Sequence, residues 1–594
     1  MKNQNKIKQI SRRKFITLAG GAAASLAAMS AIGMPIDWAL NNPEIDVDSL
    51  DIDKINTDVL VIGSGMAGLF AAVKANDAGA KVLMVSKGRL GASGQTPFAK
   101  GIFAFDPEKE DLSLNEFVEK VSQSALGTNN NAYTRQMAEH SLARVNELKE
   151  WGFFDSSLYN KSFSKPIEQR NIPVQERITI THLIKENEKI VGAAGFSIDE
   201  QKVLFYEAKS VILCTGAGGF KPNGFPICDL THDGTVMAYN IGAKVTGKEW
   251  NDGHPAKSNN AAACYDGWGD MFEQKPSTTG IGVRHDLGVD MNYMAYMNGG
   301  AAKMGPPDTA NNNSTVTGGP YRPEGFSDNG GSGGSPDGEK EDRRPPKGGK
   351  GGPPKGGKGE GAPPGMGGSV VGGSSAGMSI HKSEGLVPIN DQCESTIPGL
   401  YAAGDALGSY MAGAIYTQIG SSLAGSAVQG GVAGEAAAKY SKKIKSIKIS
   451  TSKIKEIEEE ILAPLKKEAG YSPAWVTQTL QGIMIPNFII YIKKENLMKA
   501  ALAYVEELRD HHVPMLKASN LHELRLAHET KNMVITAEMK LKASIMRTES
   551  RCSHYRLDYP EMDNDNWQAW INIFKGEDDT MQFEKQPFNS WPTA

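Results

Sequence analysis

The chain has 594 residues, of which 40% are hydrophobic and 22% are charged. This length exceeds one ordinary hydrophobic core, so we expect two or three domains. The formal net charge of −4 excludes the broad basic field that holds a nucleic acid. The five cysteines form no CxxC or CxxCH pattern, so the sequence predicts no metal site, haem attachment or iron–sulfur cluster.

The N-terminus carries an export-like pattern. Arg12 and Arg13 precede an apolar stretch that is rich in alanine and glycine and runs from Thr17 to about Ile32. This stretch is shorter than the roughly 20 residues that span a bilayer. We therefore predict a twin-arginine signal over 1–33, a periplasmic or extracytoplasmic location and no stable membrane span after signal processing. The alternative is a membrane anchor flanked by two basic residues.

A polar linker is predicted over 34–56, and a strand–turn–helix pattern follows it. Residues 58–62 are a short apolar run, 69–78 are rich in alanine and helical in character, and 81–85 form a second apolar run. Between the first run and the helix stand Gly63, Gly65 and Gly68. In such a unit the glycines permit a tight turn, let a pyrophosphate approach the backbone, and let helix and strand pack closely. The pattern predicts a dinucleotide site, and the alternative is a glycine-rich turn without a ligand.

The next segments alternate between helical and strand-like patterns. Helical periodicity is present over 114–127 and 132–151. Three strand-like segments separated by turns predict a small β-meander, and a further buried strand, 210–214, ends in the Thr-Gly-Ala-Gly-Gly of 215–219. The meander strands are predicted over 178–183, 190–197 and 203–208.

Residues 305–368 have a different composition. The Gly/Pro/Lys tract of 347–355 is typical of this segment, which lacks the apolar residues needed to offset the entropy of ordering a chain. We predict a disordered insertion that acts as a solvated linker; the alternative is a lysine-rich arm that contacts an acidic surface.

Regular patterns return near Val370. A turn, a strand and a glycine stop are predicted over 397–405, followed by a helix of small residues over 422–439. Residues 452–542 are mostly amphipathic helix, and the last 50 or so residues carry few regular signals.

Several further motifs form a recognisable set. Ser86 and Lys87 stand where a dinucleotide fold usually has an acidic residue, and Gly94-Gln95-Thr96 with Gly101 follows. The other segments of the set are 211–216, 231–234, 249–255, 397–405, 549–556 and 563–567. Together these motifs resemble the flavoprotein superfamily of fumarate reductase, succinate dehydrogenase, L-aspartate oxidase and adenylylsulfate reductase, and the C-terminal part most resembles adenylylsulfate reductase and succinate dehydrogenase.

The resemblance implies an α/β fold. A Rossmann-like FAD-binding domain would be built from 57–254 and 369–445. Between its two parts we expect a reduced capping region over 255–304 and the disordered insertion over 305–368. A C-terminal helical domain with its tail would occupy 446–594.

The resemblance also assigns FAD contacts. The glycine turn would hold the pyrophosphate, Ser86 the adenosine ribose, and Asp233 and Asp405 hydroxyls of FAD. Backbone amides at the start of the small-residue helix, at Ser421, Ser422 and Leu423, would face the flavin pyrimidine edge and stabilise negative charge there. Gln95 stands at the position where some members attach FAD to a histidine, so we expect non-covalent FAD. The implied contacts are Gly63, Gly65, Met66, Ala67, Gly68, Ser86, Lys87, Gly94, Gln95, Thr96, Gly101, Thr215, Gly216, Asp233, Gly404, Asp405, Ser421, Ser422 and Leu423.

Two histidines are the candidate catalytic residues. His254 matches the histidine of the family's His-Pro-Thr motif, and His381 matches a histidine before the second flavin motif. A histidine beside a flavin orients a carboxylate or carbonyl through a hydrogen bond or a positive charge. The alternative for each is a buried structural histidine.

The substrate region departs from the family pattern. Fumarate reductases of this family place an arginine shortly before the helix that matches 422–439, whereas residues 414–419 of this chain contain none. Arg284 is the one arginine of the capping region that looks ordered. Without a cation to bind a carboxylate bidentately, fumarate and succinate are poor candidates. Tyr410, Met411, Tyr416 and Gln418 indicate a less charged site, suited to an aromatic or enone-like compound.

These observations predict an exported FAD-dependent oxidoreductase. It would transfer a hydride to or from a C–C or C–O bond of a small organic molecule, and it would exchange electrons with a separate electron-transfer protein or a quinone. One alternative is a non-catalytic or electron-transferring flavoprotein subunit of a larger redox complex. A second alternative is an NAD-binding protein.

Overall fold

The computed structural model describes most of the chain outside the N-terminus and the central segment. The described residues are 47, 50–98, 102–108, 112–155, 159–220, 230–250, 252–254, 301–303, 369–371, 378–380, 384–414, 420–485, 489 and 492–592.

Within these ranges the structure contains eighteen strands. They are β1 Asp51–Ile62, β2 Val82–Ser86, β3 Val174–Glu176, β4 Ile178–Glu186, β5 Lys189–Ser197, β6 Lys202–Leu213, β7 Gly219–Phe220, β8 Val245–Thr246, β9 Asp252–His254, β10 Ala301–Lys303, β11 Ser369–Val371, β12 Met378–Ile380, β13 Gly385–Leu386, β14 Leu400–Ala402, β15 Ile492–Lys493, β16 Tyr555–Arg556, β17 Ala569–Lys575 and β18 Met581–Pro587.

The same ranges contain eleven α-helices and five shorter helical segments. The α-helices are α1 Met66–Asp77, α2 Leu114–Ser124, α3 Asn131–Glu150, α4 Tyr159–Gln169, α5 Asp233–Asn240, α6 Ser421–Ser441, α7 Thr451–Leu462, α8 Pro473–Met484, α9 Glu495–Glu507, α10 Leu521–Met546 and α11 Asn564–Trp567. The shorter segments are Thr96–Phe98, Gly404–Ala406, Ala463–Lys466, Leu508–His512 and Val513–Met515.

A seven-stranded sheet forms the centre of the fold. Its order is β3-β2-β1-β6-β5-β4, and β14 pairs with the carboxyl-terminal half of β6. Strands β3, β2, β1, β6 and β14 are parallel, whereas β4, β5 and β6 form an antiparallel meander. The carboxyl ends of the parallel strands therefore meet at one edge, which is where open α/β sheets bind ligands.

Strand β1 begins earlier than the sequence predicts. The predicted linker covers 34–56, whereas the structure pairs Asp51–Thr57 of β1 with Lys202–Ala208 of β6. Residues 51–56 are exposed or half-buried, and polar side chains separate Ile52 from Ile55, so the segment shows no apolar run. Backbone hydrogen bonds to β6, which a sequence pattern does not reveal, order this part of the strand.

Helices α1 and α6 cross closely over the sheet because small residues line the crossing. A Cβ atom added at Gly430 would lie 2.3 Å from the Ala67 carbonyl oxygen, and one at Gly434 would lie 2.4 Å from the Ala71 carbonyl oxygen. This contact joins the two parts of the sequence, 57–254 and 369–445, that the dinucleotide fold requires.

The C-terminal region is helical at first and ends in a sheet. Helices α8, α9 and α10 bury a shared apolar face that includes Leu480, Met498 and Leu541. Strands β17 and β18, in the tail where few regular signals are present, form a hairpin that pairs with β8. The partner strand lies more than 300 residues earlier in the chain, so a local sequence pattern does not predict this sheet. Within the described part of the chain, no helix is long and apolar enough to cross a membrane.

Most of the predicted capping region, 255–304, and all of the predicted insertion, 305–368, lie outside the described residues. The exception is β10, which pairs antiparallel with β11 so that Ala301 is opposite Val371. The predicted signal over 1–33 also lies outside the described residues.

Candidate functional site

The glycine turn between β1 and α1 requires glycine at two positions. Gly63 has φ +113, and a Cβ atom there would lie 2.1 Å from the Cys214 carbonyl oxygen. A Cβ atom at Gly68 would lie 2.0 Å from the Gly63 carbonyl oxygen. The turn therefore packs directly against the end of β6, as the close approach of helix and strand demands.

The start of α1 is open for an anion. Gly65 caps the helix in an extended conformation without a side-chain hydrogen bond, and Met66 and Ala67 begin its first turn. The Met66 amide donates to Thr96 Oγ1 at 3.2 Å, so the loop after β2 also contacts this helix end. Helix N-terminal amides attract negative charge, and this one faces the carboxyl edge of the sheet.

The end of β2 is tied to the glycine turn. Ser86 Oγ and Ser64 Oγ are 2.6 Å apart and both side chains are buried. The next residue, Lys87, donates from Nζ to three oxygens at 2.8 Å each: Thr231 Oγ1, Asp233 Oδ2 and Glu529 Oε1. Glu529 belongs to α10, so the C-terminal region contacts the carboxyl edge of the sheet.

Asp233 is held by protein donors on both oxygens. Oδ2 accepts from Lys87 and from Thr231, and Oδ1 accepts from Asn532 Nδ2 at 2.8 Å. Burial opposes the charge, but Lys87, Asn532 and Thr231 together keep the pKa of the Asp233 carboxyl below its ordinary value. Asp233 therefore holds Lys87 and Asn532 in place at this edge, and its contact with an FAD hydroxyl stays a prediction of the resemblance.

Sequence reasoning missed Glu529 and Asn532. Both are buried polar residues in a helix whose other inward side chains are mostly apolar, and that contrast was the available signal. It marks a buried polar contact without revealing its partner, because Lys87 is 442 positions away from Glu529.

Unpaired polar atoms mark the rest of the edge. Within the described residues, Gln95 Nε2 and Thr215 Oγ1 are buried and have no hydrogen-bond partner. Gly216 and Gly94 have positive φ, and a Cβ atom on either would meet nothing within 4 Å. Buried polar groups without partners are uncommon, and open space beside them fits a polar ligand that lies along the edge. These residues fit FAD.

The second flavin segment approaches the same edge. Gly404, with φ +66, donates from its amide to Gln429 Oε1, and Asp405 lies in the short helical turn that follows. Helix α6 begins after Gly420, which has φ +83 and makes no side-chain cap. The first turn, Ser421, Ser422 and Leu423, thus presents a helix N-terminus, as the resemblance implies for the flavin pyrimidine edge.

The candidate catalytic histidines are only partly described. His254 lies in β9, where the backbone register sets it opposite Met378 of β12. His381 directly follows β12 and lies outside the described residues, as do Gly101, Arg284, Tyr416 and Gln418.

Tyr410 packs against the tail of the chain. Its ring is fully buried and stacks on Trp570 with ring centroids 4.8 Å apart, and its hydroxyl donates to Gln586 Oε1 at 3.4 Å. Met411 is packed against Gly425 of α6. The ring and the hydroxyl of Tyr410, which the sequence suggested for a substrate site, therefore contact the β17–β18 hairpin.

A buried ionic cluster surrounds the C-terminal motif at 549–556. Arg547 Nη2 lies 2.9 Å from Glu249 Oε1, and Arg547 Nη1 lies 2.8 Å from Glu549 Oε1. Arg551 Nε lies 2.8 Å from the same Glu549 oxygen, and all four side chains are at most 2% exposed. Arg556 Nε pairs with Asp558 at 2.8 Å.

Two lysines extend this cluster. Lys493 Nζ donates to the Glu249 carbonyl oxygen at 2.5 Å and lies 2.8 Å from His554 Nδ1. Burial and the surrounding cations hold the pKa of Lys493 and of His554 well below their ordinary values. Burial lowers the pKa of Lys540 to about 7, against the opposing effect of Glu249 and a second buried glutamate, Glu384. Sequence reasoning missed Arg547, Lys493 and Lys540, since none stands in the motif.

Comparisons with known proteins agree with this geometry. Two family models match the chain: the FAD binding domain over 58–164 and the fumarate reductase flavoprotein C-term over 477–593. An uncharacterized FAD-dependent oxidoreductase of Methanocaldococcus jannaschii is 30% identical over 210 residues, which are 35% of this chain and 37% of that protein. The chain thus spans little more than a third of the length of that relative.

Two longer matches extend over most of the chain. One subunit of the fumarate reductase (CoM/CoB) of Methanothermobacter marburgensis is 25% identical over 561 residues, covering 85% of this chain and 94% of that protein. The structure of adenylylsulfate reductase from Archaeoglobus fulgidus matches with a TM-score of 0.65 at 19% identity, covering 93% of this chain and 99% of that one. At that identity the structural match shows the fold.

The two matching family models indicate FAD as the cofactor, and the glycine turn and the unpaired atoms along the sheet edge fit it. The fold is the mixed α/β architecture of these flavoproteins, with a Rossmann-like sheet and a helical C-terminal region. The chain contains an FAD binding domain and a fumarate reductase flavoprotein C-terminal region, and it is similar to FAD-dependent oxidoreductases of the fumarate reductase and succinate dehydrogenase flavoprotein type.

Proposed function

We propose that this chain is an exported oxidoreductase that acts on a C–C or C–O bond of a small organic molecule other than fumarate or succinate. FAD, when bound, supplies the acceptor or donor of the hydride. The observation that carries the substrate proposal is that Arg547 and Arg551, the buried arginines near the C-terminal motif, are paired with buried glutamates.

A dicarboxylate substrate needs cations that are free to bind it, and arginine does so bidentately. Arg547 and Arg551 share the buried carboxylate of Glu549, and Arg547 also binds Glu249. Turning Arg547 toward a substrate would leave the Glu249 carboxylate buried without its partner, at a cost of about 3–5 kcal/mol. Turning Arg551 would remove one of the two arginines that bind Glu549. These ion pairs, together with the absence of arginine from the sequence of 414–419, support a less charged substrate such as an aromatic or enone-like compound.

The chain's own residues support the chemistry at the flavin edge. Amides at the start of α6, at Ser421 and Ser422, would stabilise negative charge on the reduced ring and raise its potential. His254 and His381 would orient a substrate carbonyl by hydrogen bonding. The amide side chain of Gln95 cannot form a covalent bond to the flavin, which supports non-covalent FAD.

A reoxidation assay tests the substrate proposal. The purified holoprotein would be reduced anaerobically with a stoichiometric amount of dithionite and mixed with fumarate, with non-acidic enones or with aromatic acrylates. We expect a compound without two carboxylates to restore the oxidised flavin spectrum fastest. Reoxidation fastest with fumarate would refute the substrate proposal.

The histidine roles have a separate test. We expect His254→Ala and His381→Ala to lower turnover with the best compound of that panel while the bound flavin per chain stays at the wild-type level. His140→Ala is a matched control on α3, because its exposed ring lies outside the flavin edge. Unchanged turnover in either candidate variant would return that histidine to a structural role.

A second candidate function is an electron-transferring subunit of a larger redox complex. It is favoured by the match to a protein that is named as one subunit of an enzyme, over 94% of its length. In that case no compound of the panel would reoxidise the flavin, whereas a quinone or a small redox protein would. A separate redox protein or a quinone is also the electron partner that we propose for the enzyme.

The export proposal depends on Arg12 and Arg13. We expect replacement of both by lysine to keep the protein in the cytoplasm of a host with the twin-arginine route, whereas Lys8→Gln, a nearby change of charge, would leave export intact. Export of the double-lysine variant at the wild-type level would contradict the assignment.

A further inference from the structure

We propose that Glu529, on helix α10 of the C-terminal region, supplies the carboxylate that accepts hydrogen bonds from the adenosine ribose hydroxyls of FAD. This inference rests on FAD as the cofactor and is independent of which substrate the protein uses.

The end of β2 lacks the acidic residue that is usual in a dinucleotide fold. In such folds an acidic side chain after the second strand accepts a hydrogen bond from a ribose hydroxyl. Here β2 ends at Ser86 and is followed by Lys87. A hydroxyl is a weaker acceptor than a carboxylate, and a lysine ammonium is no acceptor at all.

Glu529 brings a carboxylate to this position from a distant part of the chain. Its Oε1 accepts from Lys87 Nζ at 2.8 Å, so the carboxylate lies directly beside the end of β2 although it is 442 positions away in sequence. Ser86, which precedes Lys87, contacts Ser64 of the glycine turn at 2.6 Å. The carboxylate therefore stands at the same edge as the pyrophosphate turn, where the ribose of a bound dinucleotide lies.

One oxygen of the Glu529 carboxylate is left over for a ligand. Among the described residues, Glu529 Oε1 faces Lys87 and also Arg525 Nε at 3.5 Å, whereas no residue donates a hydrogen bond to Oε2. The side chain is 10% exposed, so Oε2 is accessible to a ligand in a largely desolvated place. Because Lys87 and Arg525 hold the carboxylate through Oε1, Oε2 is preorganised as an acceptor for a hydroxyl.

The face of α10 that carries Glu529 is docked on the FAD-binding domain. Arg525, Glu529 and Asn532 are spaced at i, i+4 and i+7 on α10, which places them on one side of the helix. Asn532 binds Asp233 and Glu529 binds Lys87, so this face contacts two residues of that domain. Occupation of the ribose site and docking of α10 are consequently linked, and FAD should protect the amides of α10 from hydrogen exchange.

Flavin affinity measures the proposal directly. The full-length apoprotein would be titrated with FAD and with an FAD analogue whose adenosine ribose lacks both hydroxyls, and flavin fluorescence would give each dissociation constant. For Glu529→Gln we expect binding of FAD to weaken by about 10- to 100-fold, the range for loss of a hydrogen bond to a charged acceptor. Binding of the analogue should be nearly equal in wild type and variant, because it offers no hydroxyl to lose.

A matched control is Glu538→Gln on the same helix. Glu538 is a buried carboxylate that binds Arg509 and Lys542 away from the FAD edge, so its variant reports the general cost of changing a buried charge. We expect its affinity for FAD to match the wild type. The proposal is overturned if Glu529→Gln binds FAD as tightly as wild type, or if it weakens FAD and the analogue by the same factor.

A wild-type measurement keeps the proposal testable if the variant does not fold. The unmodified chain should prefer FAD over the analogue by a comparable 10- to 100-fold. Equal affinity of the wild-type chain for the two ligands would show that no acceptor binds the ribose hydroxyls. Neither result depends on turnover, so a failure of the substrate proposal leaves this test intact.

Discussion

Arg547 offers the strongest test of how the C-terminal region is held to the FAD-binding domain. Its guanidinium binds Glu249, which precedes β9, and Glu549, and it donates to the carbonyl oxygens of Trp567 and Ala569 at 3.2 and 2.5 Å. The group also lies over the Trp250 ring, 4.4 Å from the ring centroid. One side chain therefore joins the chain before β9, the end of α10 and the start of β17.

The expected cost of Arg547→Met follows from what remains after the change. Glu549 keeps Arg551 as a partner, whereas Glu249 loses both hydrogen bonds to Oε1, and its Oε2 has no partner among the described residues. Breaking a buried ion pair in this way costs about 3–5 kcal/mol, because a charge stays buried without its partner. Methionine fills a similar volume, so a cavity adds little.

Urea unfolding followed by tryptophan fluorescence measures this cost, and hydrogen exchange locates it. We expect amides of β17 to exchange faster in Arg547→Met, because the carbonyl oxygens at its start lose their donor. The matched control is Arg177→Met, whose ion pair with Asp199 is about half exposed and therefore contributes little, because solvent screens it. Adding Glu249→Gln to Arg547→Met should recover part of the loss, since the unpaired charge is then removed. A cost no greater than that of the control, or an unchanged exchange rate in β17, would refute the reasoning.

Three further predictions concern packing, titration and the cofactor. Gly430→Ala should destabilise the chain by about 1–3 kcal/mol by forcing α6 away from the Ala67 carbonyl, whereas Gly482→Ala, with nothing within 4 Å, should stabilise it by about 0.4–1 kcal/mol; equal effects in urea unfolding would contradict this. With a pKa of about 7 in the folded chain against 10.5 for an ordinary lysine, Lys540 lacks a proton that the unfolded chain binds between those values, so stability rises with pH there. The free energy of unfolding of wild type relative to Lys540→Met should therefore increase from pH 7 to 10 by up to about 1.4 kcal/mol per pH unit, and parallel pH profiles would exclude a neutral Lys540. Gly65→Asp should purify without flavin absorbance, because its carboxylate would occupy the phosphate position beside α1; full flavin content would place the pyrophosphate elsewhere.

The parts of the site that were predictable from the sequence are local. Gly63 and Gly68 follow an apolar run and open a helix, and the structure shows that a Cβ atom at either would collide with backbone. A strand, a turn and a helix within about 30 residues leave a periodic signal that needs no distant partner. The helix of small residues predicted over 422–439 was recognisable for the same reason, and the structure has it as α6, Ser421–Ser441.

Other features were not predictable because their partners are far away in sequence. The contact of Lys87 with Glu529 joins positions 442 apart, and that of Arg547 with Glu249 joins positions 298 apart. Taken alone, each of these residues is typical of a solvated charge on a helix or loop.

The amino-acid sequence by itself determined the dinucleotide turn, because glycine spacing and apolar runs act through the local backbone, and FAD was implied by the resemblance of several further motifs to known flavoproteins. The tertiary structure decided which charges are buried, which carboxylate faces the end of β2 and where the tail of the chain pairs. Strand β17, for example, is ordered by β8, and residues 51–56 are ordered by β6. Burial and pairing of this kind depend on which distant elements contact each other, and a local sequence pattern does not predict those contacts.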